Sequence, residues 1–211
     1  MELNHVLRGG DDRVAAPIGR LLDRLVAGAS RLPLEGTTRE DMLSAMGTCL
    51  HAPVDDVRGG VDVGSIPLEV VANVPGIVIP VKPSIRREIL PDAVDAPAGL
   101  GGHAVLLWTG WDSRWGTSSY RDPGPYLSGE AAEMLVGAGS KLVGVDFSNV
   151  DDATGLARPV RARLLGAGIP IVEHITNLGA LPTSGFRFYA VPLRIIRGAS
   201  VPVRAFAEVG R

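Results

Sequence analysis

The sequence predicts an α/β domain built round a mixed sheet, on three observations. Short apolar runs recur in the second half, "HAVLLWT", "KLVGVDF" and "IPIVEHI", and each has the make-up of a strand buried on both faces. One helical pattern falls in each gap, "SGEAAEMLVGAG" and then "LARPVRARLLGAG"; strand, helix, strand in that order implies right-handed crossovers between parallel neighbours. Towards the end, "FRFYAVPLRII" and "VPVRAFAEV" read as strands with no long helix between them, so part of the sheet is antiparallel.

Taken in order, the elements begin with an amphipathic helix over residues 12–29, where Val14, Ile18, Leu21, Leu22, Leu25 and Val26 share a face. Asp11 or Asp12 serves as its cap, and Pro17 is tolerable only near the first turn. The turn chemistry of "RLPLEGTTRED" leads into "MGTCLHAPVDD", residues 46–56. The glycine-rich "DDVRGGVDVGS" lacks the spacing of a phosphate-binding loop and reads as a connection. Gly76–Val81 is a short buried strand. In the next helix Ser128 is the N-cap, Glu130 and Glu133 lie early where the helix dipole favours acids, and Gly137 or Gly139 ends it.

Composition narrows the function classes. The chain has 211 residues, 45% hydrophobic and 21% charged, enough for one core, with residues 1–40 as a helical segment and connection and 41–211 as the core. A formal charge of −2 gives no electrostatic footprint for nucleic acid or an acidic membrane. The expected partners are a small-molecule substrate and further copies of the chain. A single cysteine forms no internal disulfide, and "MELNHVLRGGDD" lacks the pattern of a signal peptide. With no apolar run near the roughly 20 residues of a membrane helix, the expected location is cytoplasmic.

Candidate chemistry concentrates in "TCLHAPVD". On a strand, residues two apart share a face, so Cys49 and His51 would address one cavity. Pro53 would bend the chain and return Asp55 towards it. Thiolate, imidazole and carboxylate suit zinc, with Glu173 as a further ligand, although the spacing is not one of the strongly predictive zinc patterns. Trp108, Trp111, Trp115 and Tyr120 could line an aromatic-accepting pocket or serve as core. Asp146 and Asp151 flank "FSNV" at a strand's carboxyl end, where they could build a site or cap a turn. His174, next to Glu173, would point to the opposite face of a strand and is expected to be structural. His103 and His5 carry no expected role.

The blocks "GHAVLLWTGWDSRWGTSSY", "EAAEMLVGAGSKLVGVDFSNVDD", "LLGAGIPIVEHITNL" and "FRFYAVPL", in that order, resemble the cyclase family that includes bacterial kynurenine formamidase, isatin hydrolase and cyclases of antibiotic pathways. The resemblance runs from about residue 45 to 206. It implies a swivelling β/β/α domain, a mixed sheet with flanking helices, assembled as a dimer or tetramer. The family signature H-x-G-T-H-x-D-x-P-x-H meets "AMGTCLHAPVD" here. Gly47, Thr48 and Pro53 are kept, while metal-binding positions of the family fall on Ala45, Cys49 and His51 and its last histidine falls on Asp55. A further family histidine falls on Arg161, and the family's glutamate is retained as Glu173. Alanine binds no cation and a fixed guanidinium opposes one, so binuclear zinc is not expected.

From this follows the expected activity: acid–base-assisted cyclisation, dehydration or ring opening of a small carbonyl-containing metabolite, in specialised, antibiotic-type metabolism and without a metal. His51, Asp55, Glu173 and, as a nucleophilic variant, Cys49 are the expected catalytic groups. Arg161, Trp111, Trp108 and Thr48 are the expected substrate-binding groups, Arg161 as an anion clamp paired with Glu173 until substrate arrives. The alternative is a mononuclear zinc or manganese hydrolase of an amide or lactone, with Cys49, His51 and Glu173 as ligands. A second alternative is a non-catalytic binding relative.

Overall fold

The computed structural model describes residues 48–52, 62–82, 85–195 and 198–209. The helix expected over 12–29, with Ala45, Pro53 and Asp55, lies outside the described residues. In chain order the elements are β1 (Cys49–His51), the one-turn α1 (Leu68–Val71), β2 (Val74–Pro80), β3 (Glu88–Ile89), β4 (Ala104–Trp108) and β5 (Tyr126–Leu127). Then come α2 (Gly129–Gly137), β6 (Leu142–Val145), α3 (Pro159–Gly166), β7 (Ile171–Glu173), β8 (Phe186–Tyr189), β9 (Ser200–Pro202) and β10 (Phe206–Val209).

Eight of these strands form one mixed sheet in the order β10-β8-β2-β4-β6-β7-β1-β9. The middle four, β2, β4, β6 and β7, run parallel, and each flank adds two antiparallel strands. The apolar runs of the second half thus become the central strands, as their two-sided hydrophobicity requires. The strand expected at Gly76–Val81 starts two residues earlier, at Val74, and ends at Pro80. Ser128 caps α2 as predicted, its hydroxyl accepting from the Ala131 N–H at 3.1 Å.

Alternation along the strands sorts the core into two faces. Ile77, Ile79, Val105, Leu107, Val143, Val145 and Ile171 meet Ala131 and Leu135 of α2 and Val160 and Leu164 of α3 on one side. Leu50, Val78, Leu106, Leu142, Val172, Phe186, Phe188 and Val201 pack on the other. Glu133 and Arg163 tie the two helices together at their exposed side.

"VPVRAFAEV" does not form a single strand. It splits into β9 and β10, which lie at opposite edges of the sheet. Residues 203–205 are all that joins them, and so short a link spans at most about 14 Å. Eight flat strands would hold their edges roughly 34 Å apart. The sheet therefore curls, wrapping the face that carries Leu50, Val172 and Phe188 and leaving α2 and α3 outside. Local pattern could not reveal the break, because both pieces are apolar and the bend between them is set by closure of the sheet.

Candidate active site

The antiparallel pairing of β1 with β7 sets Cys49 opposite Glu173 and His51 opposite Ile171. Opposite residues in a ladder share a face, and because Leu50 and Val172 belong to the curled-in core, Cys49, His51 and Glu173 face the helix side. There α3 supplies Arg161. Pro159 opens that helix, and its first N–H groups are met from outside it: the Asp151 carboxylate accepts from the N–H of Val160 at 2.8 Å and of Arg161 at 3.2 Å. Asp151 thus fixes the turn that aims Arg161.

The guanidinium contacts three groups at hydrogen-bond distance, and its Nε lies 3.9 Å from Asp151 Oδ2. Its Nη1 lies 2.6 Å from His51 Nδ1, and its Nη2 donates to Glu173 Oε1 at 2.8 Å and to Asn149 Oδ1 at 3.3 Å. A guanidinium has donors only, so at this distance the Nδ1 lone pair is the acceptor and the ring proton sits on Nε2. Nε2 in turn lies 2.6 Å from Glu173 Oε2, off the line of a good hydrogen bond. Glu173 is 2% exposed and takes a further bond from the Val150 N–H at 2.9 Å. Burial works against its charge, but His51 and Arg161 outweigh burial and hold the carboxyl well below the usual carboxylate range.

The Cys49 thiol is pushed up to about 12, first by burial and then by the charge of Glu173, with Arg161 opposing. At neutral pH it stays protonated, which does not suit a nucleophile. The two donors beside it, His51 Nδ1 and Glu173 Oε1, already hold the guanidinium. Among the described residues no group of three His, Cys, Asp or Glu is placed to hold a metal ion. The alternative ligand set Cys49, His51 and Glu173 does not, in this arrangement, fit a cation.

Other predicted residues fall at varying distances from this centre. Thr48 donates its hydroxyl to the His174 carbonyl at 3.0 Å. Trp111 donates Nε1 to the Tyr120 carbonyl at 3.4 Å and lies under the Arg114 guanidinium, 4.0 Å from ring centroid to Cζ. Trp108 packs on the curled-in face with Leu106 and Val78, the side of the sheet away from His51 and Glu173. Asp146 is fully buried and accepts from the Thr109 and Gly110 N–H groups at 3.0 and 2.6 Å and from the Thr109 hydroxyl at 2.7 Å. It ties the segment after β4 to the end of β6.

His174 departs from the strand alternation used to place it. Strand β7 stops at Glu173, and His174 takes a left-handed φ of 60°, so facing rules no longer apply to it. Its N–H donates to the Phe147 carbonyl at 3.1 Å, and its Nδ1 lies 2.9 Å from the Tyr120 hydroxyl. Trp115 stands edge-on to Tyr120, with centroids 4.9 Å apart. Burial disfavours protonation of the His174 ring, with the charge of Glu173 opposing burial and that of Arg161 adding to it. A buried histidine–tyrosine pair therefore borders the centre. Only the adjacent Glu-His doublet hinted at it in the sequence.

A buried carboxylate gripped by imidazole and guanidinium stands at the carboxyl end of a parallel strand, the end of the strands outside which open α/β sheets bind their ligands. A family model described as Putative cyclase matches residues 7–152. Kynurenine formamidase of Salinibacter ruber is 29% identical over 166 residues, 75% of this chain and 73% of that protein. Isatin hydrolase of Roseibium aggregatum is 33% identical over 122 residues, 51% of this chain and 45% of that one. Isatin hydrolase A from Ralstonia solanacearum superposes with a TM-score of 0.66 at 28% identity, covering 78% of this chain and 72% of that one. Isatin hydrolase A from Labrenzia aggregata bound to benzyl benzoate covers 92% of this chain and 99% of that one, with a TM-score of 0.65 at 23% identity. The chain belongs to the cyclase family, and is an enzyme of cyclase or hydrolase type. Among the described residues no helix is long and apolar enough to cross a membrane.

Proposed function

We propose that the enzyme carries out metal-free acid–base chemistry, closing or opening a ring on a small carbonyl-bearing anion. The observation that supports this is the contact of 2.6 Å between Arg161 Nη1 and His51 Nδ1, with Nη2 on Glu173. Arg161 takes the substrate's anionic group in the planar geometry that guanidinium favours. In turning to it, Nη1 leaves Nδ1, whose lone pair then accepts the substrate proton. Glu173 holds the opposite ring nitrogen and stabilises the imidazolium so formed. Asp55 is the second proton-transfer group, as its place in the sequence motif suggests. Cys49, kept protonated, is a wall of the cavity.

The relatives named kynurenine formamidase and isatin hydrolase support carbonyl substrates joined to nitrogen. They also support the alternative, a single-metal amide or lactone hydrolase. Carboxylate-bearing isatins and N-formyl aromatic amines that carry a carboxylate are the first probes. With a turned-over probe, His51→Ala is expected to lower kcat/KM by roughly 10²–10⁴-fold, and Arg161→Lys to raise KM. Undiminished turnover in His51→Ala would remove the acid–base role.

A further inference from the structure

Ser200 lies directly opposite His51 in the pairing of β9 with β1. Opposite side chains in an antiparallel ladder share a face, and the neighbouring pair Leu50 and Val201 enters the curled-in core. Ser200 therefore stands on the same face as Cys49, His51 and Glu173. Its backbone is held in place: the Ala52 N–H donates to the Ala199 carbonyl at 3.0 Å, and the Val63 N–H to the Gly198 carbonyl at 2.9 Å. Yet the Ser200 hydroxyl is shielded from solvent and has no hydrogen-bond partner among the described residues. A hydroxyl desolvated without a partner is unfavourable. Ser140 carries another such hydroxyl, but it lies in the turn after α2, where its N–H bonds the Leu135 carbonyl. Ser200 is the one set beside the imidazole.

We propose that the Ser200 hydroxyl donates to the carbonyl oxygen of the substrate, next to His51, and that the ligand class is a carboxylate bearing a carbonyl group. This rests on Arg161 acting as the anion clamp. Arg161 approaches the imidazole from α3 while Ser200 approaches it across the ladder, so the carboxylate and the carbonyl are received on different sides of His51. As the carbonyl oxygen gains negative charge, a donor fixed on a strand stabilises it without reorganising.

The test compares binding of phenylglyoxylate, which carries the carbonyl, with phenylacetate, which lacks it, by calorimetry. Wild type is expected to prefer phenylglyoxylate by roughly tenfold. Ser200→Ala should erase that preference while leaving phenylacetate binding unchanged, and should melt higher in the absence of ligand, because the orphaned hydroxyl is gone. Arg161→Lys should weaken both acids together. If Ser200→Ala keeps the preference, or melts lower, or if wild type shows no preference or binds neither acid, the proposal for Ser200 is overturned. If Ser200→Ala erases the preference but Arg161→Lys weakens neither acid, Ser200 stands and the clamp fails.

Discussion

At His51 two opposite charges, those of Arg161 and Glu173, flank the ring so that its Nδ1 is covered. Arg161 occupies Nδ1 and Glu173 faces Nε2, so in the proposed reaction the base becomes available when the substrate takes the guanidinium. His174 offers a pH test of this crowded centre. Burial holds its imidazole down at about 4, against an ordinary 6.5, with the charge of Glu173 opposing. An unfolded chain takes up this proton near 6.5 while the folded one refuses it until about 4. Between those values the unfolded state binds more protons, so the folded state loses stability as pH falls through the window. His174→Asn, which tolerates the left-handed backbone, should show a smaller drop in Tm from pH 6.5 to 4.5 than wild type, read by thermal melts across that range. Equal drops would mean that the ring titrates as it does in an unfolded chain. Of these residues, the pairing of Arg161 with Glu173 was legible in the sequence, through the family motif. The tyrosine contact of His174 was not, since it depends on one positive φ that no periodicity records.

At the scale of elements, α3 works as an aiming device. The helix has only eight residues, from Pro159 to Gly166, and such short helices have little stability of their own. Asp151 supplies the cap that its own N-cap residue, Arg158, does not. Asp151→Ala should cost about 1–2 kcal/mol in denaturant melts and raise KM more than it lowers kcat, because Arg161 loses its bearing on the site. A stable variant with unchanged KM would show that the cap does not position the clamp. The helices and the parallel strands were legible because their patterns are local: periodic apolar positions, a serine cap, glycine stops. Strands β9 and β10 were legible as strands but not as two, because a tertiary closure separates them. Asp146 and Asp151 left two readings open, and the structure gives both of them capping bonds to backbone N–H groups.

For the whole molecule, antiparallel pairing sets β7, β1 and β9 side by side at one edge of the sheet, and the helix-side face of that edge carries the proposed site. The fold matches that of isatin hydrolase, while the resemblance read from the sequence leads to the expectation that the family's metal positions are changed. At that edge the Arg161 guanidinium bonds both the His51 imidazole and the Glu173 carboxylate, an arrangement that supports the proposed proton transfer and anion binding. The direct measurement is elemental analysis of protein purified without chelator, paired with turnover of a working probe before and after exhaustive dialysis against a strong chelator. Substoichiometric zinc and manganese with undiminished turnover is the predicted result. One metal per chain, lost on dialysis together with activity and restored with it, would contradict metal-free catalysis.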